Sequence, residues 1–194
     1  EEAANALLKF LEEPSTPLVA ILTTTNIEKC LPTIVSRCVT VKVNQLSFKE
    51  VIKGNEDRFS REQAYALSLF APTFKEMETL SRSDDFINAF QVAETFISDL
   101  VSSLEKAGFG LLKEGSGLLK TQKSIKYFAT ILIKVFSNVL SSNYSDSFST
   151  FAISVKPYKD SLPKTIDVLA DILNTLPANM NTNLSLARII NSLK

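Results

Sequence analysis

The sequence holds 194 residues, 45% hydrophobic and 22% charged, with 21 basic and 21 acidic side chains and no histidine. These are the proportions of an ordinary globular chain, and zero net charge argues against a strong autonomous nucleic-acid surface, which needs a basic patch or a high pI. No apolar run approaches the ~20 residues of a membrane span and no secretory signal pattern is present, while Cys30 and Cys38, without a partner CxxC, argue against a zinc site within the chain.

Over residues 3–13, Ala4, Leu7, Leu8 and Leu11 recur at i, i+3, i+4 and i+7, which predicts an amphipathic helix stopped by Pro14. Leu18 to Leu22 is a continuous apolar run after Pro17, the pattern of a strand buried on both faces of a parallel sheet. The polar cluster Thr23-Thr24-Thr25-Asn26 ends that run. Ligands in open α/β sheets lie beyond the carboxyl ends of strands. Thr24, Thr25 and Asn26 therefore stand where a γ-phosphate could be sensed, or else simply cap a loop.

Leu31-Pro32-Thr33-Ile34-Val35-Ser36-Arg37-Cys38 follows. Pro32 suits the first turn of a short helix, where its missing N–H costs nothing. Arg37 then falls at the junction with Val39-Thr40-Val41-Lys42-Val43, an alternating strand pattern with the valines on one face. A guanidinium is always charged, and its planar fork matches phosphate oxygens bidentately. The plain alternative is a helix-end arginine favoured by the helix dipole. The pattern closes a first domain near residue 44.

From residue 45 the periodicity turns helical. Ser47 to Lys53 predicts a brief helix ending at Gly54, and Ser60 with Gln63 and Thr73 with Glu76 read as capping boxes. Ala64, Leu67, Phe70, Met77 and Leu80 supply an inward face for a small helical domain over 45–82. Residues 83–194 show further apolar stripes. They are Phe86, Phe90, Ala93, Ile97, Leu100 and Leu104; Ile125, Phe128, Leu132, Val135, Phe136 and Val139; and Phe148, Phe151, Ala152 and Val155. Two more follow, Leu162, Ile166, Leu169, Leu173 and Leu176, then Leu184, Ala187, Ile190 and Leu193. The glycines from Gly108 to Gly117 predict a loop, and the stripes around it predict a helical bundle. The fold class is thus α/β followed by all-α.

Three stretches carry a resemblance. Ala3-Ala4-Asn5-Ala6-Leu7-Leu8-Lys9-Phe10-Leu11-Glu12-Glu13-Pro14, the Ser36-Arg37-Cys38 triplet and Asn181-Thr182-Asn183-Leu184-Ser185-Leu186-Ala187 are similar to segments of bacterial DNA polymerase III clamp-loader subunits. These belong to the AAA+ family, and the likeness is of the delta-prime kind, although Arg188 stands near where an acidic residue is usual. The resemblance implies the C-terminal part of an AAA+ nucleotide-binding domain over 1–44, a helical lid over 45–82 and a collar bundle over 83–194. The chain would then be a piece of a longer protein, without the phosphate-binding loop, since no G-x-x-x-x-G-K-[ST] occurs.

The resemblance further implies that Arg37 serves as an arginine finger in trans, with Ser36 and Cys38 as its motif neighbours and the Thr24, Thr25, Asn26 cluster as sensor-1. Asn5 and Lys9 would lie near a subunit interface. No cofactor is expected in this chain, ATP and Mg belonging to neighbouring subunit sites. Implied partners are gamma/tau and delta subunits and, indirectly, the sliding clamp and primed DNA, in the cytoplasm. ATP-hydrolysing members carry a sensor-2 arginine that aligns with Phe74 here, which favours delta-prime over a gamma/tau-type ATPase. A helical adaptor with no ATP role is the alternative of another class. With no histidine, no nucleophile–base pair and no carboxylate constellation, intrinsic catalysis is not expected.

Overall fold

The computed structural model describes residues 8, 19–24, 26–43, 50, 57–141, 149–176 and 181–194. The chain divides into two compact units, Glu1–Asn44 and Gln45–Lys194. The predicted helices over 3–13 and Ser47 to Lys53 lie outside the described residues except for Leu8 and Glu50, both helical. Phe148 is likewise outside them.

In the first unit Asn26 caps a 3₁₀ turn, Ile27–Lys29, its Oδ1 accepting from Glu28 N at 2.9 Å. A one-turn helix follows, α1 (Pro32–Val35), with Pro32 at its start and Ser36 as its C-cap. The two predicted strands do not form among the described residues. Val19 and Ile21, expected to be buried, are 86% and 84% exposed, and Val39, Val41 and Val43 are 92%, 77% and 87% exposed. The physical reason is that a strand is completed by a neighbour. Period-2 alternation assigns side chains to faces, but only a second strand satisfies the backbone N–H and C=O groups, and none is present among the described residues.

The second unit is helical throughout its described residues. It begins with α2 (Arg61–Ser68) and α3 (Phe74–Ser81). Ser60 Oγ accepts from Gln63 N, and Thr73 with Glu76 forms the full reciprocal box. The long helix α4 (Asp84–Leu100) buries Phe86, Ala89, Phe90, Val92, Ala93, Phe96, Ile97 and Leu100. The expected stripe is thus present, but it stops before Leu104. A turn intervenes and Ser103 caps a new helix, α5 (Leu104–Gly110).

The predicted glycine loop is a further correction, because α5 runs on through a π-helical stretch, Leu111–Gly115, and a last turn, Ser116–Leu118. Gly108 and Gly115 serve close packing there. A Cβ on Gly108 would stand 3.1 Å from Ile190 Cγ2, and one on Gly115 would stand 2.9 Å from Leu186 Cδ1.

The helix α6 (Gln122–Leu140) is the centre of the unit and packs against α4, α7 (Ser149–Val155) and α8 (Leu162–Thr175). The last helix, α9 (Thr182–Ser192), lies against α8 and the π-helical stretch. Its buried face is Ser185, Leu186, Ile189 and Ser192, with Leu193 just beyond, whereas the expected Leu184 is 63% exposed.

Side chains from Ala64 to Leu193 form one buried cluster. Phe70, in the turn after α2, sets its ring against Phe86 of α4 and Tyr127 of α6, with centroids 6.3 and 4.8 Å away. No helix among the described residues is long and apolar enough to cross a membrane.

Candidate functional site

The residues singled out by the sequence gather in the first unit as two hydrogen-bonded groups. In the first, Thr24 Oγ1 donates to the Asn26 carbonyl at 3.0 Å and accepts from Asn26 N at 3.1 Å. With the Asn26 cap on the 3₁₀ turn, both side chains bond within their own loop, the geometry short polar side chains adopt where chain direction changes. Cys30 Sγ points at the Asn26 carbonyl, 3.8 Å away. Thr25 lies outside the described residues, as do Asn5 and Lys9.

The second group surrounds the end of α1. Ser36 N donates to the Pro32 carbonyl and Arg37 N to the Ile34 carbonyl, at 2.9 and 3.1 Å. Arg37 thereby stands two residues past the helix, directly after its Ser36 C-cap, and its side chain is exposed. Arg37 Nη1 donates to the Thr33 carbonyl at 2.9 Å and lies 3.5 Å from Ser36 Oγ. The Ser36 hydroxyl donates to the same Thr33 carbonyl at 3.1 Å. Cys38 N closes the turn on Val35 O at 3.2 Å. Its thiol and that of Cys30 are free and half-buried.

Chemically, this corner offers a cation held at a defined place on the surface of its unit. A guanidinium so placed can pair bidentately with phosphate or carboxylate oxygens. Among the described residues no three His, Cys, Asp or Glu side chains are grouped to hold a cation. In the second unit Phe74, which the resemblance sets at the sensor-2 position, opens α3 and is 43% exposed. Sequence reasoning missed the role of the Thr33 carbonyl. Its signal was the spacing Thr33, Ser36, Arg37, which places i+3 and i+4 side chains over one helical carbonyl.

Residues 1–47 match the family described as DNA polymerase III, delta subunit. Two curated relatives refine that class. The chain is 39% identical over 89 residues to DNA polymerase III subunit delta' of Bacillus subtilis (strain 168), a match covering 43% of this chain and 26% of that protein. It is 40% identical over 74 residues to DNA polymerase III subunit gamma of Buchnera aphidicola subsp. Schizaphis graminum (strain Sg), covering 34% of this chain and 20% of that one. The chain thus spans about a quarter or less of the curated relatives it matches. No solved structure matches. The chain is similar to the clamp-loader subunits of DNA polymerase III and is delta-prime-like, as its motifs implied.

Proposed function

We propose that this chain is part of a delta-prime-like clamp-loader subunit, found in the cytoplasm, that presents Arg37 to ATP bound by a neighbouring subunit. Residues 1–44 act as the C-terminal part of an AAA+ domain, 45–82 as the lid and 83–194 as the collar that anchors the ring with gamma/tau and delta subunits. The assembled loader opens the sliding clamp and places it on primed DNA.

The observation that carries the reading is the exposed Arg37 guanidinium at a hydrogen-bonded corner of a segment that matches a DNA polymerase III subunit family. ATP with its Mg, bound next door, supplies the phosphoanhydride whose cleavage spreads negative charge over the γ-phosphate oxygens. Arg37 contributes a fixed positive charge to those oxygens, which is the work of a trans arginine finger. Phe74 replaces the arginine that a hydrolysing subunit would place in its own lid, so this chain serves a neighbour's site.

In the assembled loader, Arg37→Ala should lower DNA- and clamp-stimulated ATP turnover by about tenfold or more, with subunit assembly retained. Unchanged turnover in an intact complex would leave the chain as a structural ring member. The similarity to a gamma subunit favours a second reading, an ATP-hydrolysing subunit of the same ring. The two separate upstream, where G-x-x-x-x-G-K-[ST] would mark the ATPase and its degeneration would mark delta-prime.

A further inference from the structure

We propose that the helices of 57–82 and the bundle of 83–194 turn as one body, because α2 is clamped to the bundle at both of its ends. The inference goes beyond the finger reading and takes from it only the words lid and collar for these two parts.

Neighbouring domains ordinarily move relative to one another unless the surface between them is large and apolar. The surface here is apolar. Ala64, Ala66 and Leu67 of α2, Ala71 just after it and Met77 of α3 are all 3% exposed or less. They share one buried cluster with Phe86 and Phe90 of α4 and with the later helices. The two helices have 8 residues each, below the ~12–15 at which a helix holds by itself in water. Their helical form depends on tertiary packing, and a lid that swung away would lose it.

Two ties stand at opposite ends of α2. Just past its last turn the Phe70 ring lies edge-on to Tyr127 of α6, with centroids 4.8 Å apart, and to Phe86 of α4 at 6.3 Å. In its first turn Glu62 Oε1 accepts from Thr150 Oγ1 of α7 at 2.9 Å. The ties are separated by roughly 12 Å along the helix, from its rise per residue. One contact alone could act as a pivot. Two separated contacts, bearing on three different helices, block rotation about either.

The covalent link adds no slack. Arg82 and Ser83 are all that stands between α3 and α4, and their N–H groups donate to the Thr79 and Leu80 carbonyls at 3.3 and 2.9 Å. A hinge needs a few residues free to absorb a change in φ and ψ, and this pair is committed to the end of α3. A rotation of the lid therefore carries the collar with it.

The test spin-labels this chain, with Cys30→Ser and Cys38→Ser, at Lys75→Cys on α3 and Lys164→Cys on α8, and follows native-state hydrogen exchange in the parent. One narrow distance distribution is expected, kept when the labelled chain is built into the loader and ATP is added. The amides of α2 and α3 should be protected as long as those of α4. Phe70→Ala should broaden the distribution and speed exchange in α2 and α3 about tenfold relative to α6 and α8, with the bulkier Phe70→Leu between it and the parent. A broad or two-peaked distance in the parent, or exchange of α2 and α3 well ahead of α4, overturns the proposal. So does a Phe70→Ala variant that alters neither readout. Neither readout passes through Arg37. If Arg37→Ala leaves ATP turnover unchanged while the distance stays narrow, the finger reading fails and the single body stands.

Discussion

An added methyl group at Gly115 would stand 2.9 Å from Leu186 Cδ1 and 3.3 Å from Leu111 Cδ1, both buried side chains. At Gly108 the nearest atom is Ile190 Cγ2 at 3.1 Å, on a residue only partly buried, and at Gly117 nothing lies within 4 Å. Replacing a helical glycine by alanine gains up to about 1 kcal/mol from helix propensity, and overpacking a core costs about 1–3 kcal/mol. The three alanine variants should therefore rank in thermal denaturation, with Gly117→Ala raised, Gly108→Ala near the parent and Gly115→Ala lowered.

The sequence suggested a loop here because glycine usually marks one. What it could not show is that Gly108 and Gly115 lack side chains for the benefit of a helix that arrives much later in the chain, at Ile190 and Leu186, a judgement that needs the packing. At the same scale, Arg188 on α9 pairs with Asp171 on α8, both about half exposed. Exposed pairs contribute at most about 1 kcal/mol, so Asp171→Asn should move the urea midpoint only slightly.

Among the elements, the start of α6 is held by a reciprocal cap. Thr121 Oγ1 accepts from Ser124 N at 3.0 Å, and Ser124 Oγ accepts from Thr121 N at 3.2 Å. Thr121 Oγ1 also donates to Asp85 Oδ1 of α4 at 2.6 Å. Thr121→Ala should cost about 1–2 kcal/mol in urea denaturation. The caps at Ser60 and Thr73 were legible because Gln or Glu stands three residues on. Thr121 was not, because its N3 partner is a serine and its other partner is 36 positions away in the chain.

The final helix behaves in a related way. An apolar count selects Leu184, Ala187, Ile190 and Leu193, yet α9 buries Ser185 and Ser192 beside Leu186 and Ile189. Ser192 Oγ lies 3.0 Å from Thr165 Oγ1 of α8 and 2.7 Å from the Ile189 carbonyl, and Ser185 Oγ donates to the Asn181 carbonyl. Hydrogen bonding makes the serines acceptable in the core, so the buried face takes in Ser185 and Ser192 together with the expected Leu193, with Ile190 packed at its edge and Leu184 left exposed. A double-mutant cycle on Thr165→Val and Ser192→Ala should show a coupling of about 0.5–1.5 kcal/mol, and additive losses would mean the two hydroxyls are independent.

For the molecule as a whole, the second unit has one core running from α2 to the end of α9. Phe86 is fully buried and touches the rings of Phe70, Phe90 and Tyr127. Phe86→Ala should cost about 3–5 kcal/mol. Because the core is continuous, hydrogen exchange should report the loss in α2 as well as in α6 and α8.

By itself the sequence carried the likeness to DNA polymerase III subunits, the helix at Pro32, the position of Arg37 beyond it and the main apolar faces of α4, α6 and α8. Those features are local, being written in capping residues, in proline and in spacings of three and four along one segment. The tertiary structure alone decided that 19–22 and 39–43 stay unpaired among the described residues, that the glycine stretch is helical and which way α9 faces. Each of these depends on a partner distant in the chain: a neighbouring strand, a crossing helix or a buried hydroxyl. A pattern within one segment states what that segment needs, and only the fold shows what meets the need.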